Sequence, residues 1–497
     1  MQLFKQSCIL FLIWCISCSP PKTIYDNSGI FTIKKNINEL ISLSGLDANM
    51  GIKIVSLKTG KTLYTLNSKK LLIPASNIKL YTCAAALEEL GSDYRFKTIV
   101  LQNGNNLVLR GGGDPDLSID HLDSLAEITT KSINDVDTLF VDESLLDSFH
   151  YGQGWMWDEG STKYSAPISA ITINKNCVDF FVKPGKVGGK AIIDFYPRTK
   201  YINVNNSSLT VKNTIDFEKF RIDRDWAGRT NHFNVSGNIL YKSSIDTFQR
   251  NIFDPVLFCG TIFKEQLNNY GINVKNMVTL KQDGKASPIA VHTSAPLLNS
   301  AYDMMHESDN LTAELFTKIL AVNDSTTGNW EDGLNSIKSF LADSAGIDTT
   351  LFRLSDGSGV SRYNLTSADQ LIKLLSYMHA SKHRDNFIFT LPGGGSNSTL
   401  KDRLKFSKSK IRAKTGHLSG VSCISGYIFS DKYGPIAFSI LMNGYIGKAR
   451  PYQQLQDKII NLFLLSDHPL GFYFLYDLNQ QKSLVSNHPM YLVIYIV

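Results

Sequence analysis

The sequence predicts a mixed α/β (α+β) domain written in two pieces around a long β-rich insert. Two alternating runs at 51–67 are followed at once by a strong helix pattern ending near Glu89. From about 96 to 290 the chain becomes strand-like and rich in loops. From about 295 helices return, and apolar strand-like runs plus a last helix complete the pattern near 465. The expected split domain is therefore 22–95 with 291–465, the insert is 96–290, and 466–497 is an atypical tail. A chain of 497 residues with 43% apolar residues has room for two or three domains and a sizeable core.

Taken in order, the chain opens with Lys5, an apolar run from Cys8 to Ile16, and then Ser17, Cys18, Ser19 and Pro20. That reads as an export signal over 1–18 and is too short to span a bilayer. Ile16-Ser17-Cys18 resembles a bacterial lipoprotein cleavage site, with Cys15 where a Leu is usual. Cys18 would then carry lipid and anchor an exported, periplasmic protein to a membrane. Gly51-Ile-Lys-Ile-Val-Ser and Lys61-Thr-Leu-Tyr-Thr-Leu alternate as strands about a Lys58-Thr59-Gly60 turn. Pro74-Ala75-Ser76 opens the helix, and Gly91 stops it. A hairpin is expected over 97–110, turning near Asn103-Gly104. Further strands are expected at Asp137, Ile192 and Asn203, and a helix over 254–270. Helices follow over Ala301–Val322, Trp330–Asp343 and Ser367–Ala380, then strands Cys423–Phe429 and Ile436–Met442, then a helix over 451–465. The tail ends in the apolar Tyr491–Val497, too short to cross a membrane.

Composition excludes several classes. A net charge of +6, from 51 basic and 45 acidic residues, comes without an arginine-rich stripe or recognition motif, so nucleic acid is not an expected partner. Cys83, Cys177, Cys259 and Cys423 are scattered and form no Cys-x-x-Cys pair, which argues against zinc and against a dense disulfide framework. They read as small core residues, with room for one unassigned disulfide after export. No His-Glu-x-x-His run occurs among the 10 histidines, and no metal or cofactor is expected.

Three short motifs carry chemistry. In Ser76-Asn77-Ile78-Lys79, positions i and i+3 share a helix face, which sets the Lys79 amine beside the Ser76 hydroxyl. A serine needs a base within hydrogen-bond reach, and a lysine serves only when burial or the helix N-terminus lowers its pKa. Ser19–Lys22, Ser398–Lys401 and Ser407–Lys410 have the same spacing without a comparable helix start. In Ser308-Asp309-Asn310, a hydroxyl and an amide on a turn can enter one cleft, Ser308 to relay a proton and Asn310 to hold a substrate peptide group. Ser132–Asn134 and Ser236–Asn238 share that pattern, and any one alone is a cap or turn. In Lys414-Thr415-Gly416-His417, a cation and a hydroxyl on an edge strand suit a terminal carboxylate. Gly416 would let the ligand backbone come close, and the His417 amide would be an oxyanion donor beside that of Ser76. The Lys58-Thr59-Gly60 look-alike is explained by its hairpin turn.

The ordered set Ser-x-x-Lys, Ser-Asp-Asn, Lys-Thr-Gly is the signature of penicillin-recognising serine acyl enzymes. With its long interval between Ser76 and Ser308, the chain resembles the class C low-molecular-mass penicillin-binding proteins, the D-Ala-D-Ala carboxypeptidase/endopeptidase family. Gly112-Gly113-Asp114-Pro115-Asp116-Leu117, Gly154-Trp155-Met156-Trp157-Asp158, Tyr164-Ser-Ala-Pro-Ile-Ser-Ala, Asp356-Gly-Ser-Gly and Leu391-Pro-Gly-Gly-Gly also look like the family, and the likeness covers roughly 35–465. The resemblance implies a transpeptidase-like fold related to β-lactamases and an acyl-enzyme on Ser76. It implies peptidoglycan stem peptides as substrates and β-lactams as covalent inhibitors. It also implies an acidic residue of the insert near the substrate's diamino acid, for which Asp158 and Glu159 are the candidates, while Asp114 and Asp356 hold turns. The rival readings are a β-lactamase-like hydrolase and an inactive wall-binding relative.

Overall fold

The structure is a computed structural model that describes residues 28–464 except 216, 282–285, 324 and 408. The export signal, Cys18 and the 466–497 tail lie outside the described residues. The chain up to Gly45 forms one unit and Leu46 onward a second. The first unit contributes a helix, α1 (Ser28–Ser44), with Ile30, Ile33, Ile37 and Ile41 at helical spacing.

The second unit starts with the antiparallel hairpin β1 (Asn49–Ser56) and β2 (Thr62–Leu66), whose turn contains the Lys58-Thr59-Gly60 look-alike. A 3-10 turn, Ala75–Ile78, runs straight into α2 (Lys79–Glu89). The helix holds no Gly or Pro and buries Cys83-Ala84-Ala85-Ala86-Leu87. Next come the hairpin β3 (Lys97–Asn103) and β4 (Asn106–Arg110), then α3 (Ile119–Thr129) and β5 (Asp135–Asp142). Helix α3 was not expected from the sequence; Ser118 caps it by accepting from the His121 amide. It makes the crossover that the parallel pair β4 and β5 requires.

Eight short strands follow: β6 (Cys177–Lys183), β7 (Ile192–Tyr196), β8 (Asn203–Asn206), β9 (Leu209–Val211), β10 (Arg221–Arg224), β11 (His232–Ser236), β12 (Asn238–Leu240) and β13 (Asp246–Asn251). They form the sheets β10-β11-β8, β12-β9 and β13-β6-β7. Helix α4 (Pro255–Asn269) starts on an Asp254 cap with Pro at its first position. Strands β14 (Asn273–Val278) and β15 (Ser287–Thr293) then complete a five-stranded sheet of order β14-β5-β4-β3-β15. One apolar core joins residues of these sheets to α3 and α4.

The helices after β15 are α5 (Leu297–Glu307), α6 (Asn310–Ile319), α7 (Trp330–Asp343), α8 (Ala368–Ala380) and α9 (Arg384–Thr390). The single helix expected over 301–322 is thus broken. Ser308 takes left-handed backbone angles (φ 60°, ψ 40°) and Asp309 caps α6 by accepting from the Leu311 amide. Three long strands, β16 (Ile411–Leu418), β17 (Val421–Ser430) and β18 (Gly434–Asn443), precede α10 (Arg450–Asn461). The antiparallel order β16-β17-β18-β1-β2 pairs Asn49–Ser56 with Ile436–Asn443, so the two ends of the unit share one sheet. Strand β17 is buried almost throughout, and accordingly its sequence does not alternate. Helix α8 packs on β1 and β18, and α2 packs on α6 and α7. Among the described residues, Cys83, Cys177, Cys259 and Cys423 are free, buried thiols.

Candidate active site

The 3-10 turn explains the first contact. Three residues per turn eclipse i and i+3, so Ser76 and Lys79 stack one above the other. Ala75 just before the serine has a left-handed φ of 48°, an unfavourable state for a residue with a Cβ. Two glycines press against this turn. A Cβ on Gly416 would lie 2.5 Å from the Pro74 carbonyl oxygen and 3.1 Å from the Ser76 nitrogen, and one on Gly359 would lie 2.0 Å from the Ala75 oxygen. The motif alone assigns the Gly416 gap to a ligand's backbone; in the structure the chain's own Pro74–Asn77 turn takes up the space of a Cβ there. Asn77 Nδ2 donates to the Lys414 carbonyl at 3.1 Å and fastens β16 there.

Lys79 is fully buried, and its Nζ lies 3.1 Å from Ser76 Oγ, 2.6 Å from Asn310 Oδ1 and 2.7 Å from the Ser358 carbonyl. Burial lowers its pKa to about 8, against the opposing pull of Glu314, Asp356 and Asp309. About a tenth of such a lysine is neutral at pH 7, compared with well under a thousandth for an exposed one. Lys414 Nζ lies 2.9 Å from Ser308 Oγ and 2.9 Å from the Thr415 carbonyl. Burial, and then the like charge of Lys79, push its pKa well below the usual lysine range. Two lysine–serine pairs therefore meet across one cleft.

The cleft holds about 530 Å³ and is lined by Ser76, Ser308, Asn310, Thr415, Gly416 and His417, with Glu159, Tyr164 and Arg403 among its other walls. Lys79 and Lys414 lie just beneath its surface. The Ala413 amide donates off the sheet to the Pro392 carbonyl. Strand alternation then turns the amides of Thr415 and His417 to that same open edge. The His417 ring bonds through Nδ1 to the Val421 carbonyl at 3.1 Å. Of the two acidic candidates, Glu159 reaches the cleft wall, while Asp158 is exposed on the short turn Trp157–Glu159 and is absent from the lining.

Asn310 lines the cleft and also braces Lys79. Its amide accepts from Lys79 and donates one Nδ2 hydrogen to the Tyr164 carbonyl at 2.9 Å, so it positions the lysine.

Several supporting residues were not singled out in the sequence. Lys175 reaches from the segment before β6 to Asp309 Oδ2 at 2.8 Å. Burial alone would raise the Asp309 pKa, but Lys175 and Thr312 hold it below the usual carboxylate range. Glu314, one turn into α6, is fully buried and accepts from the amides of Gly357 and Ser358 at 3.0 and 2.8 Å and from Trp330 Nε1 at 2.7 Å. It thereby holds the peptide whose Ser358 carbonyl faces Lys79. Asp356 accepts from the amides of Gly359 and Ser361, from Asn364 and from Trp155 Nε1, which makes it the turn-holder expected.

The sequence profile described as the D-Ala-D-Ala carboxypeptidase 3 (S13) family matches residues 33–462. The chain belongs to that family. A D-alanyl-D-alanine carboxypeptidase of an Actinomadura species is 31% identical over 468 residues, which cover 87% of this chain and 85% of the relative. A D-alanyl-D-alanine carboxypeptidase of Haemophilus influenzae is 26% identical, with 82% and 88% covered. Among solved structures, penicillin binding protein 4 of Haemophilus influenzae superposes with a TM-score of 0.75 at 24% identity, covering 86% of this chain and 99% of that one. The S13 fold, with its extra β-rich segment, is thus the fold of this chain.

Proposed function

We propose that the chain is a serine D-Ala-D-Ala carboxypeptidase acting on peptidoglycan stem peptides. The single observation that carries this reading is the paired contact Lys79–Ser76 and Lys414–Ser308 on one cleft. Neutral Lys79 takes the proton of Ser76 as its oxygen attacks the carbonyl between two D-alanines. The amides of Ser76 and His417 stabilise the oxyanion. Ser308 passes a proton to the departing D-alanine amine, and water then attacks the ester to release the shortened peptide and restore the serine. Lys414 and Thr415 receive the terminal carboxylate. Glu159 is better placed than Asp158 to meet the amino group of a diamino acid. A cross-bridge amine as leaving group uses the same steps, which extends the reading to DD-endopeptidase action. β-Lactams acylate Ser76 and remain. Export through residues 1–18 and a lipid on Cys18 would place the enzyme beside its substrate.

The test is labelling with a fluorescent penicillin and peptide mapping of the adduct. The label is expected on Ser76, and Ser76→Ala is expected to lose both label and D-alanine release by more than about 10⁴-fold. Release of D-alanine by the alanine variant at near wild-type rate would refute the mechanism.

A further inference from the structure

A second cleft, of about 590 Å³, opens beside the first. Its walls include six aromatic rings: Phe149, Tyr151, Trp155, Trp157, Trp226 and Phe253. Phe149 is 72% and Trp157 81% exposed, so these two rings serve no core. Exposed apolar rings grouped around a cleft mark an interaction site. Four of the six rings are also held in place without a ligand. Tyr151 stands edge-on to Trp226 at 5.9 Å and to Trp155 at 6.3 Å. Beneath Trp226 lies the Arg224 guanidinium, 5.3 Å from the ring, with its own donors spent on Asn251 and the Thr230 carbonyl. Phe253 is tied at backbone N and O to the side chain of Asn231. Rings fixed in advance lose little entropy on binding.

The two clefts are lined by neighbouring residues of the same segments. Trp155 donates to Asp356, which holds the loop facing Lys79. The turn Trp157–Glu159 sends Trp157 to the aromatic cleft and Glu159 to the serine cleft, and Ser165 and Tyr164 divide in the same way. A molecule seated at Ser76 and extending past Glu159 would come next to Trp157, a ring of the cluster.

We infer that this aromatic cleft binds the glycan strand of the substrate, an N-acetylated amino sugar polymer. The inference rests on the proposed function, in which the reacting peptide hangs from such a strand. Pyranose rings present flat C–H faces that lie against aromatic faces, while their hydroxyl and amide groups meet a polar rim, here supplied by Ser148, His150 and the exposed Arg229. No sheet edge lines this cleft among the described residues, so it offers an extended peptide no backbone ladder.

The test uses the whole protein and two readouts. The first is titration with a peptide-free tetrasaccharide of alternating N-acetylglucosamine and N-acetylmuramic acid, followed by tryptophan fluorescence. The second compares kcat/KM for a free pentapeptide with that for the same pentapeptide on its disaccharide. Trp226→Ala and the exposed Trp157→Ala are each expected to weaken tetrasaccharide binding about tenfold and to lower the ratio of glycan-linked to free-peptide kcat/KM about tenfold. Trp157 is exposed enough that its variant folds even if that of Trp226 does not. Absence of a fluorescence change at millimolar tetrasaccharide would overturn the inference. So would equal losses on both substrates, or displacement of the signal by free pentapeptide alone. Failure of the proposed activity would instead appear as no acylation of Ser76, with sugar binding intact.

Discussion

On the helix side of the cleft, Lys79 is buried above three carboxylates, those of Glu314, Asp356 and Asp309. On the strand side, Lys414 is buried just as completely, but no carboxylate among the described residues offsets its burial, and Lys79 repels it. The same side chain at the same depth is thus given two different characters. Balanced by anions, Lys79 stays within reach of neutral pH and can accept and return a proton. With no anion beside it, Lys414 is biased toward its neutral amine and has the most to gain from a counter-ion. Under the proposed function, that counter-ion is the substrate's terminal carboxylate. Its arrival would favour the Lys414 ammonium, which in turn lowers the proton affinity of Lys79 at the moment a base is needed.

The largest effect expected from this contrast is at Lys79. Lys79→Ala should slow acylation by penicillin about 10³-fold, measured as the rate of adduct formation, while far-UV circular dichroism stays that of the wild type. Acylation within tenfold of wild type would remove Lys79 as the base and make the two lysines alike.

Lys414→Ala should act on binding. The kcat/KM for a peptide ending in a free carboxylate is expected to fall about 10–100-fold, the worth of one charge-assisted hydrogen bond. The same peptide ending in an amide should lose much less, so that the variant no longer tells the two apart. Equal losses on both peptides would mean that Lys414 shapes the strand instead of reading the carboxylate.

Much of this contrast could be read from the chain before folding. The helix at Ser76, the strands of the Lys-Thr-Gly region and the order of the three motifs follow from local pattern and spacing. What could not be read are the long-range partners. Lys175 comes from the β-rich segment and looks like any turn lysine until folding brings it to Asp309. Glu314 reads as an ordinary polar residue of an amphipathic helix, because nothing local says that its face of α6 is covered by the 357–358 loop. The break at Ser308 is hidden in the sequence for a related reason. Apolar periodicity runs through 301–322, and the left-handed backbone of Ser308 with the Asp309 carboxylate, which takes the Leu311 amide, interrupts it. Gly416 was recognised as a place of close approach, but which backbone approaches is a fact of the tertiary structure.

Glu314 offers the finest test of the contrast, because it changes the field at Lys79 without touching the amine. Burial, and then the charge of Asp356, raise its pKa to about 7. Its negative charge therefore appears just below the range in which Lys79, at about 8, loses its proton. Above neutral pH the ionised carboxylate favours the ammonium form of Lys79. Glu314→Gln removes that preference, so the rising limb of the pH profile of acylation should move to lower pH by up to about one unit. Folding should respond with the opposite dependence. A carboxyl raised in the folded state binds more protons there than when unfolded, so its contribution to stability is lost as pH rises from the ordinary carboxylate range through about 7. The glutamine variant should lack that loss. At low pH it should still melt below the wild type, because one amide of Gly357 or Ser358 loses its acceptor, at a cost of about 1–3 kcal/mol. A limb that stays in place, or moves to higher pH, would show that the anions beneath Lys79 do not set its proton affinity, and the distinction between the two lysines would have to come from solvent access alone.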